Sequence, residues 1–259
     1  MKRFEALAAL ILGAAITACG DDTTGPSADS NLNPDVAVVA AASATEDLAA
    51  MQDTEIDEGN LQGGAAFKLN GCIFNSANSR FDCPVKTHDG LVITRSFAFF
   101  NASNAPMTGF DEQLTASANL KSDAIGTVSR GSWTATIDWH RDFTVTGLLG
   151  TETSRTWNGS SDASVQGSHH TGNGDRSYDM TMHSVVHDVV IPVGEDHDRP
   201  SSGTLTQTVT VTYVGGKFDG QTVTRTVNIT FDGSQEAKLK IGKNHFKLNL
   251  LSKLVVKDD

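Results

Sequence analysis

The chain changes its pattern of apolar and polar positions near residue 64, and the remainder has the pattern of β-strands. From Phe67 onward apolar and polar residues alternate with period two, and Val, Ile, Phe, Trp and Thr are frequent. Such alternation is typical of half-buried strands, and no helical periodicity follows Gly64. The clearest hairpin runs from Gly203 to Phe231, where a threonine face alternates with an apolar face around a glycine-rich turn.

Other segments show the same alternation and extend the β pattern along the chain. They are Leu91 to Phe100, Gln113 to Leu120, Ser132 to Trp139, Phe143 to Leu148, Thr151 to Trp157, Tyr178 to Ile191 and Glu236 to Leu250. The pattern predicts one all-β domain over residues 63–259 with roughly ten strands in an antiparallel meander. We expect a curled sheet or a barrel, with a β-sandwich as the alternative.

Strands with one apolar face must cover that face, and a curled sheet covers it by forming a concave interior. Large apolar side chains on the inner face predict a binding surface for a lipid or another apolar ligand. The residues predicted to line it are Phe97, Phe99, Trp133, Trp139, Val209, Val211 and Phe231.

Residues 1–18 have the composition of a secretory signal. Lys2 and Arg3 precede an apolar run from Ala6 to Ile16, which is shorter than the roughly 20 residues that a membrane-spanning helix needs. The residues Ile16-Thr17-Ala18-Cys19 resemble the lipobox of bacterial lipoprotein precursors. The resemblance covers only this segment, and the β-domain resembles no family that we can name.

The lipobox resemblance implies an address for the protein. Cys19 would become the acylated N-terminus, and several acyl chains hold a protein stably on a membrane. The residue after Cys19 is Gly20, not the Asp that tends to retain lipoproteins in the inner membrane. We therefore expect the outer membrane of a Gram-negative-type envelope.

Negative charge is concentrated in residues 19–62, which we predict to be a largely disordered tether. The formal net charge is -11, and ten acidic residues with no Lys or Arg lie between Gly20 and Phe67. Few large apolar residues are present to offset the entropy of ordering. Ser43 and Glu46 match a capping box, which predicts a short helix up to Met51. The rest of the chain is nearly neutral, so no basic surface indicates nucleic-acid binding.

Three cysteines are present, and Cys19 is assigned to the lipid anchor. Cys72 and Cys83 flank a turn in an exported chain, so we expect a disulfide that links two strands. A metal or redox dithiol is the alternative, but the chain has no C-x-x-C spacing.

Histidine is the only indication of further chemistry. His169, His170 and His197 lie in an Asp-rich third of the chain and are the candidate metal ligands. They lack the paired short spacings of zinc motifs, so we predict no metal and no cofactor. No Gly-x-Ser-x-Gly motif indicates a serine hydrolase.

The sequence thus predicts a non-catalytic lipoprotein that binds or interacts within the envelope, with an envelope protein as partner. A carrier of a lipid or other apolar ligand is the first alternative. A cell-surface hydrolase that uses the His/Asp-rich segment is the second.

Overall fold

The computed structural model describes residues 32–52, 71–171, 174–193, 199–215 and 219–258. The predicted signal peptide, the lipobox and Cys19 lie outside these ranges, as does the tether apart from residues 32–52. The described part contains a helix, α1 (Asn33–Gln52), and fourteen strands. The strands are β1 (Ile73–Asn75), β2 (Arg80–Asp82), β3 (Lys86–His88), β4 (Leu91–Asn101), β5 (Pro106–Met107), β6 (Thr115–Arg130), β7 (Trp133–Thr146), β8 (Ser154–Thr171), β9 (Gly174–Pro192), β10 (Ser202–Val214), β11 (Thr222–Phe231), β12 (Glu236–Ile241), β13 (Asn244–Asn249) and β14 (Val255–Asp258).

All the strands belong to one antiparallel sheet. Its order is β1-β2-β4-β6-β7-β8-β9-β10-β11-β12-β13-β14, while β3 and β5 each pair with β4. The path follows the chain, so the predicted all-β meander is confirmed. Because β1 and β14 do not pair with each other, the sheet is open and is neither a closed barrel nor a two-sheet sandwich.

The pairing register shifts at two places in the long central strands, each next to a glycine. The register between β8 and β9 shifts at Gly159, and the register between β9 and β10 shifts at Gly203. Both glycines have positive φ, 141° and 108° respectively, which side chains with a Cβ rarely adopt. At both places β9 contributes one residue more than its partner strand, and such a bulge increases the local twist.

Residues 33–52 differ from the expected flexible tether, because they form a helix that packs inside the curled sheet. Val36, Ala40 and Leu48 belong to the same hydrophobic cluster as the strands. Asn33 followed by Pro34 is a typical helix start, and alanine has the highest helix propensity. Ser43 is therefore a residue of the helix interior and not the cap that the sequence pattern predicted.

Two predicted strands, Ser132 to Trp139 and Phe143 to Leu148, are in fact one strand, β7. The intervening polar residues had the pattern of a strand end. The structure shows instead that Arg141 points into the interior, where it is buried. Its partner lies on α1, which local periodicity cannot reveal.

The predicted disulfide is confirmed. Cys72 and Cys83 are bonded, with an S–S distance of 2.03 Å. The bond closes the β1–β2 hairpin, whose strands pair directly, and so links the first two strands of the sheet.

Candidate functional site

The inner face of the sheet contains the residues predicted to line an apolar ligand site. Phe97, Phe99, Trp139, Val209, Val211 and Phe231 are buried, and Trp133 is half-buried. They lie in, or pack against, the cluster that also includes Val36, Ala40 and Leu48 of α1. The structure therefore brings these residues together on one face, and α1 packs on part of that face, mainly against β10 to β14. Their role in ligand binding stays a prediction.

A row of polar side chains crosses this apolar interior, and we call it the inner polar row. The residues that form it, on β6, β7, β8, β9 and β10, are Ser122, Arg141, Ser161, Ser184 and Gln207. Each is the direct cross-strand neighbour of the next. At the usual strand spacing the row is about 19 Å long. Five buried polar residues in register are unusual in a sheet interior, where burial of an unpaired polar group is costly.

The polar residues of α1 face this row. The carboxylate of Asp47 accepts a hydrogen bond from Arg141 Nε at 2.8 Å and another from Ser161 Oγ at 2.7 Å. One helical turn earlier, Ser43 Oγ accepts a hydrogen bond from Gln207 Nε2 at 3.2 Å. Residues i and i+4 lie on the same side of a helix, so α1 presents a polar side to the interior of the sheet.

The row has more hydrogen-bonding groups than α1 uses. Among the described residues, the buried atoms Arg141 Nη2, Ser184 Oγ and Gln207 Oε1 have no hydrogen-bond partner. Trp139 Nε1 is also without one, and its ring lies 4.1 Å from the Arg141 guanidinium carbon. The guanidinium is thus bounded by an aromatic ring on one side and the Asp47 carboxylate on another.

Two further contacts hold α1, one at its first residue and one beside Asp47. Arg225 Nε donates a hydrogen bond to Asn33 Oδ1 at 2.9 Å. Lys253, in the turn between β13 and β14, lies 3.6 Å from the Glu46 carboxylate. Burial raises the pKa of Glu46 and of Asp47, while Lys253 and Arg141 respectively oppose that rise. The helix is therefore held by contacts from β7 around to the β13–β14 turn.

The outer face of the same strands carries a second row, which we call the outer Asp–His row. Asp123, His140, Asp162 and His183 are successive cross-strand neighbours on β6 to β9. His140 Nδ1 lies 2.7 Å from Asp123, and His140 Nε2 lies 2.8 Å from Asp138. His183 Nδ1 lies 2.7 Å from Asp162.

Hydrogen bonding and charge in the outer Asp–His row change the pKa of one histidine. The hydrogen bond with Asp123, supported by the charges of Asp138 and Asp123, raises the pKa of His140. Threonine hydroxyl groups continue the polar surface over β10 and β11, where Thr210 and Thr224 are 2.9 Å apart. A shallow groove of about 320 Å³ lies here between His140, His183 and Thr208.

No family model, curated protein or solved structure matches this chain. Among the residues that the structure describes, no helix is both long and apolar enough to span a membrane.

The outer row does not contain the geometry of an activated nucleophile. Both ring nitrogens of His140 contact carboxylates. His183 has Thr208 as its neighbour on β10, but in the described part of the chain no hydrogen bond joins the two side chains. The row resembles a set of surface ion pairs more closely than a catalytic triad, whose base is hydrogen-bonded to its nucleophile.

The three candidate metal ligands fall largely outside what the structure describes. His169 and His170 lie in β8, opposite Arg176 and Asp175, but their side chains are not described. His197 lies outside the described residues. Within the described ranges no group of three or more His, Cys, Asp or Glu residues is placed to hold a metal ion.

The inner polar row was not predicted from the sequence. A signal for it was present, because Arg141, Ser161, Ser184 and Gln207 interrupt the apolar positions of otherwise regular strands. Each interruption alone resembles an irregularity. Only the strand register shows that they are neighbours.

Proposed function

We propose that this protein is a lipid-anchored, non-catalytic binding module of a bacterial outer membrane, which presents the outer face of its sheet to an envelope protein. The observation that supports this best is the contrast between the two faces. The helix α1 packs on the inner face, whereas the outer face of β6 to β11 is exposed and carries mainly hydroxyl, carboxylate and imidazole groups, with Ile125 and Val185 among them.

The anchoring part of the proposal rests on the lipobox resemblance. Its test is mass spectrometry of the full chain recovered from the membranes of a Gram-negative host. We expect the N-terminal peptide to begin at Cys19 and to carry acyl groups, and we expect Cys19→Ser to abolish the acylation. An unmodified N-terminus in the membrane fraction would contradict the anchor.

The binding part of the proposal predicts where a partner makes contact. A photoreactive amino acid placed at Thr181 or Thr208, both exposed on the outer face, should give one discrete cross-linked species in cells. Asn104, exposed in the turn between β4 and β5, is the matched control position. Equal cross-linking at all three positions, or none at any of them, would refute a specific outer-face interaction.

The carrier is a second candidate, favoured by the unpaired polar atoms beneath α1. A carrier needs an interior that a ligand can enter. The carrier hypothesis therefore requires that a ligand can displace α1 from the interior. It is independent of the proposal for the outer face.

A further inference from the structure

The contact between Asp47 and Arg141 has the chemistry of a bound carboxylate ligand. Asp47 is fully buried, and the side chain of Arg141 is only 5% exposed. A guanidinium group cannot lose its charge at ordinary pH, so it needs an anion wherever it is buried. In this interior the helix supplies that anion.

Asp47 leaves several hydrogen-bonding groups of the inner polar row unpaired. Arg141 binds it through Nε, while Arg141 Nη2 is without a partner among the described residues. A free carboxylate could bind the two nitrogens together, since guanidinium and carboxylate groups match in this paired geometry. Ser184 Oγ is also unpaired in the same row and can donate to an anion, whereas the unpaired Gln207 Oε1 can only accept a hydrogen bond.

The apolar part of α1 combines four alanines with the larger side chains Val36, Leu48 and Met51. Ala37, Ala40, Ala41 and Ala44 are all buried in the cluster, and each contributes one methyl group. A helix of 20 residues is about 30 Å long, so it occupies an elongated apolar space. A flexible acyl chain could replace such contacts, because burial of apolar surface is not directional.

We propose that the inner polar row and the apolar wall around it form a binding site for an amphiphile with an anionic headgroup, and that α1 is its resident occupant. Asp47 stands in for the headgroup, and the alanine-rich side of α1 stands in for the chain. This site does not depend on the outer face, so failure of the cross-linking experiment leaves it untouched.

The test is rescue of a variant that lacks the resident carboxylate. The full chain with Cys19→Ser and Asp47→Ala is unfolded thermally, with laurate below its micelle concentration and with dodecanol as the uncharged probe. At a hundredfold excess over Kd, laurate should raise the Tm by about 5–10 °C. Dodecanol should give a clearly smaller shift, and adding Arg141→Leu should abolish the laurate effect.

Asp138→Ala is the matched control. It also removes a carboxylate, but an exposed one on the outer face of β7, the strand that carries Arg141. Laurate should not stabilise it beyond the parent protein. Dodecyl phosphate separates two classes of headgroup: a larger shift than that of laurate supports a phosphate headgroup, and a smaller one supports a carboxylate. Equal shifts with laurate in the presence and absence of Arg141 would overturn the proposal.

If Asp47→Ala does not fold, the parent protein provides the decisive measurement. Amide hydrogen exchange is followed in α1 and in β7, with laurate or dodecanol present. Laurate alone should speed exchange in α1 while β7 stays protected. Unchanged protection of α1 at saturating laurate would overturn the proposal.

Discussion

Removal of Asp47 should be among the most destabilising single substitutions in this protein. The carboxylate is completely buried and accepts two hydrogen bonds, from Arg141 and Ser161. Asp47→Ala leaves the Arg141 guanidinium charged in an apolar interior. Breaking a buried ion pair in this way costs about 3–5 kcal/mol, which is a large fraction of the stability of a typical domain.

The converse substitution should cost less, and its cost should depend on pH. Arg141→Leu leaves a buried carboxyl group that can bind a proton. Burial already raises the pKa of Asp47, and Arg141 opposes that rise, so the substitution should raise the pKa further. A raised pKa in the folded state contributes stability below the unfolded value of about 4, and this is lost as pH rises through the folded pKa.

The assay is urea unfolding of both single variants and the Asp47→Ala/Arg141→Leu double variant at pH 5 and pH 8. Neither charge is left unpaired in the double variant, so it should be more stable than Asp47→Ala. The unfolding free energy of Arg141→Leu should fall more between pH 5 and pH 8 than that of the parent. Additive effects, or a cost for Asp47→Ala below about 1 kcal/mol, would refute the reasoning, because contacting residues should couple.

Three further outcomes are expected. Gly167→Ala should lower stability by about 1–3 kcal/mol in urea unfolding, because the new Cβ would clash with the ring of Tyr178 on β9. Reduction of the disulfide should lower stability by about 3 kcal/mol, measured as a fall in Tm, because it closes a short loop in the unfolded chain. In an NMR titration His140 should have a pKa above its ordinary value, with Asp123→Asn lowering it, and its contribution to stability should be lost as pH rises through that pKa.

Matched controls make these outcomes specific. Gly109→Ala places a Cβ with nothing within 4 Å, so a cost equal to that of Gly167→Ala would contradict the clash. Asp142 pairs with Lys121 at 3.2 Å, and Asp142→Asn should therefore leave the His140 titration largely unchanged. A Tm that is insensitive to reductant would contradict a stabilising role for the disulfide.

The sheet could be predicted from the sequence because its information is local. Alternation of apolar and polar residues in single strands gave the all-β class, the meander and the inner position of residues such as Trp139 and Val209. The two cysteines near one turn gave the disulfide. Each of these features can be predicted from residues that are close together in the sequence, and the structure agrees with each of them.

A short helix up to Met51 was predicted, but the full length of α1 and the buried polar residues that it contacts could not be predicted in this way. Residues 33–52 are acidic and alanine-rich, and without the sheet they resemble a spacer because a short isolated helix is marginally stable. Arg141 lies in a polar run between two predicted strands, and such a run is typical of a strand end. The partner of each charged residue is distant in the sequence. A charged residue considered alone is therefore expected to be exposed to solvent.

The same separation affects the order of folding. Asp47 meets Arg141 and Ser161 across 94 and 114 residues, Ser43 meets Gln207 across 164, and Asn33 meets Arg225 across 192. Closing such long loops costs entropy before any contact can offset it. The polar residues that bind α1 are brought together only when β7, β8, β9 and β10 have paired, although α1 precedes these strands in the chain. We therefore expect the inner face to form, at least in part, before α1 packs on it, and we expect the proposed amphiphile to compete with the docking of α1.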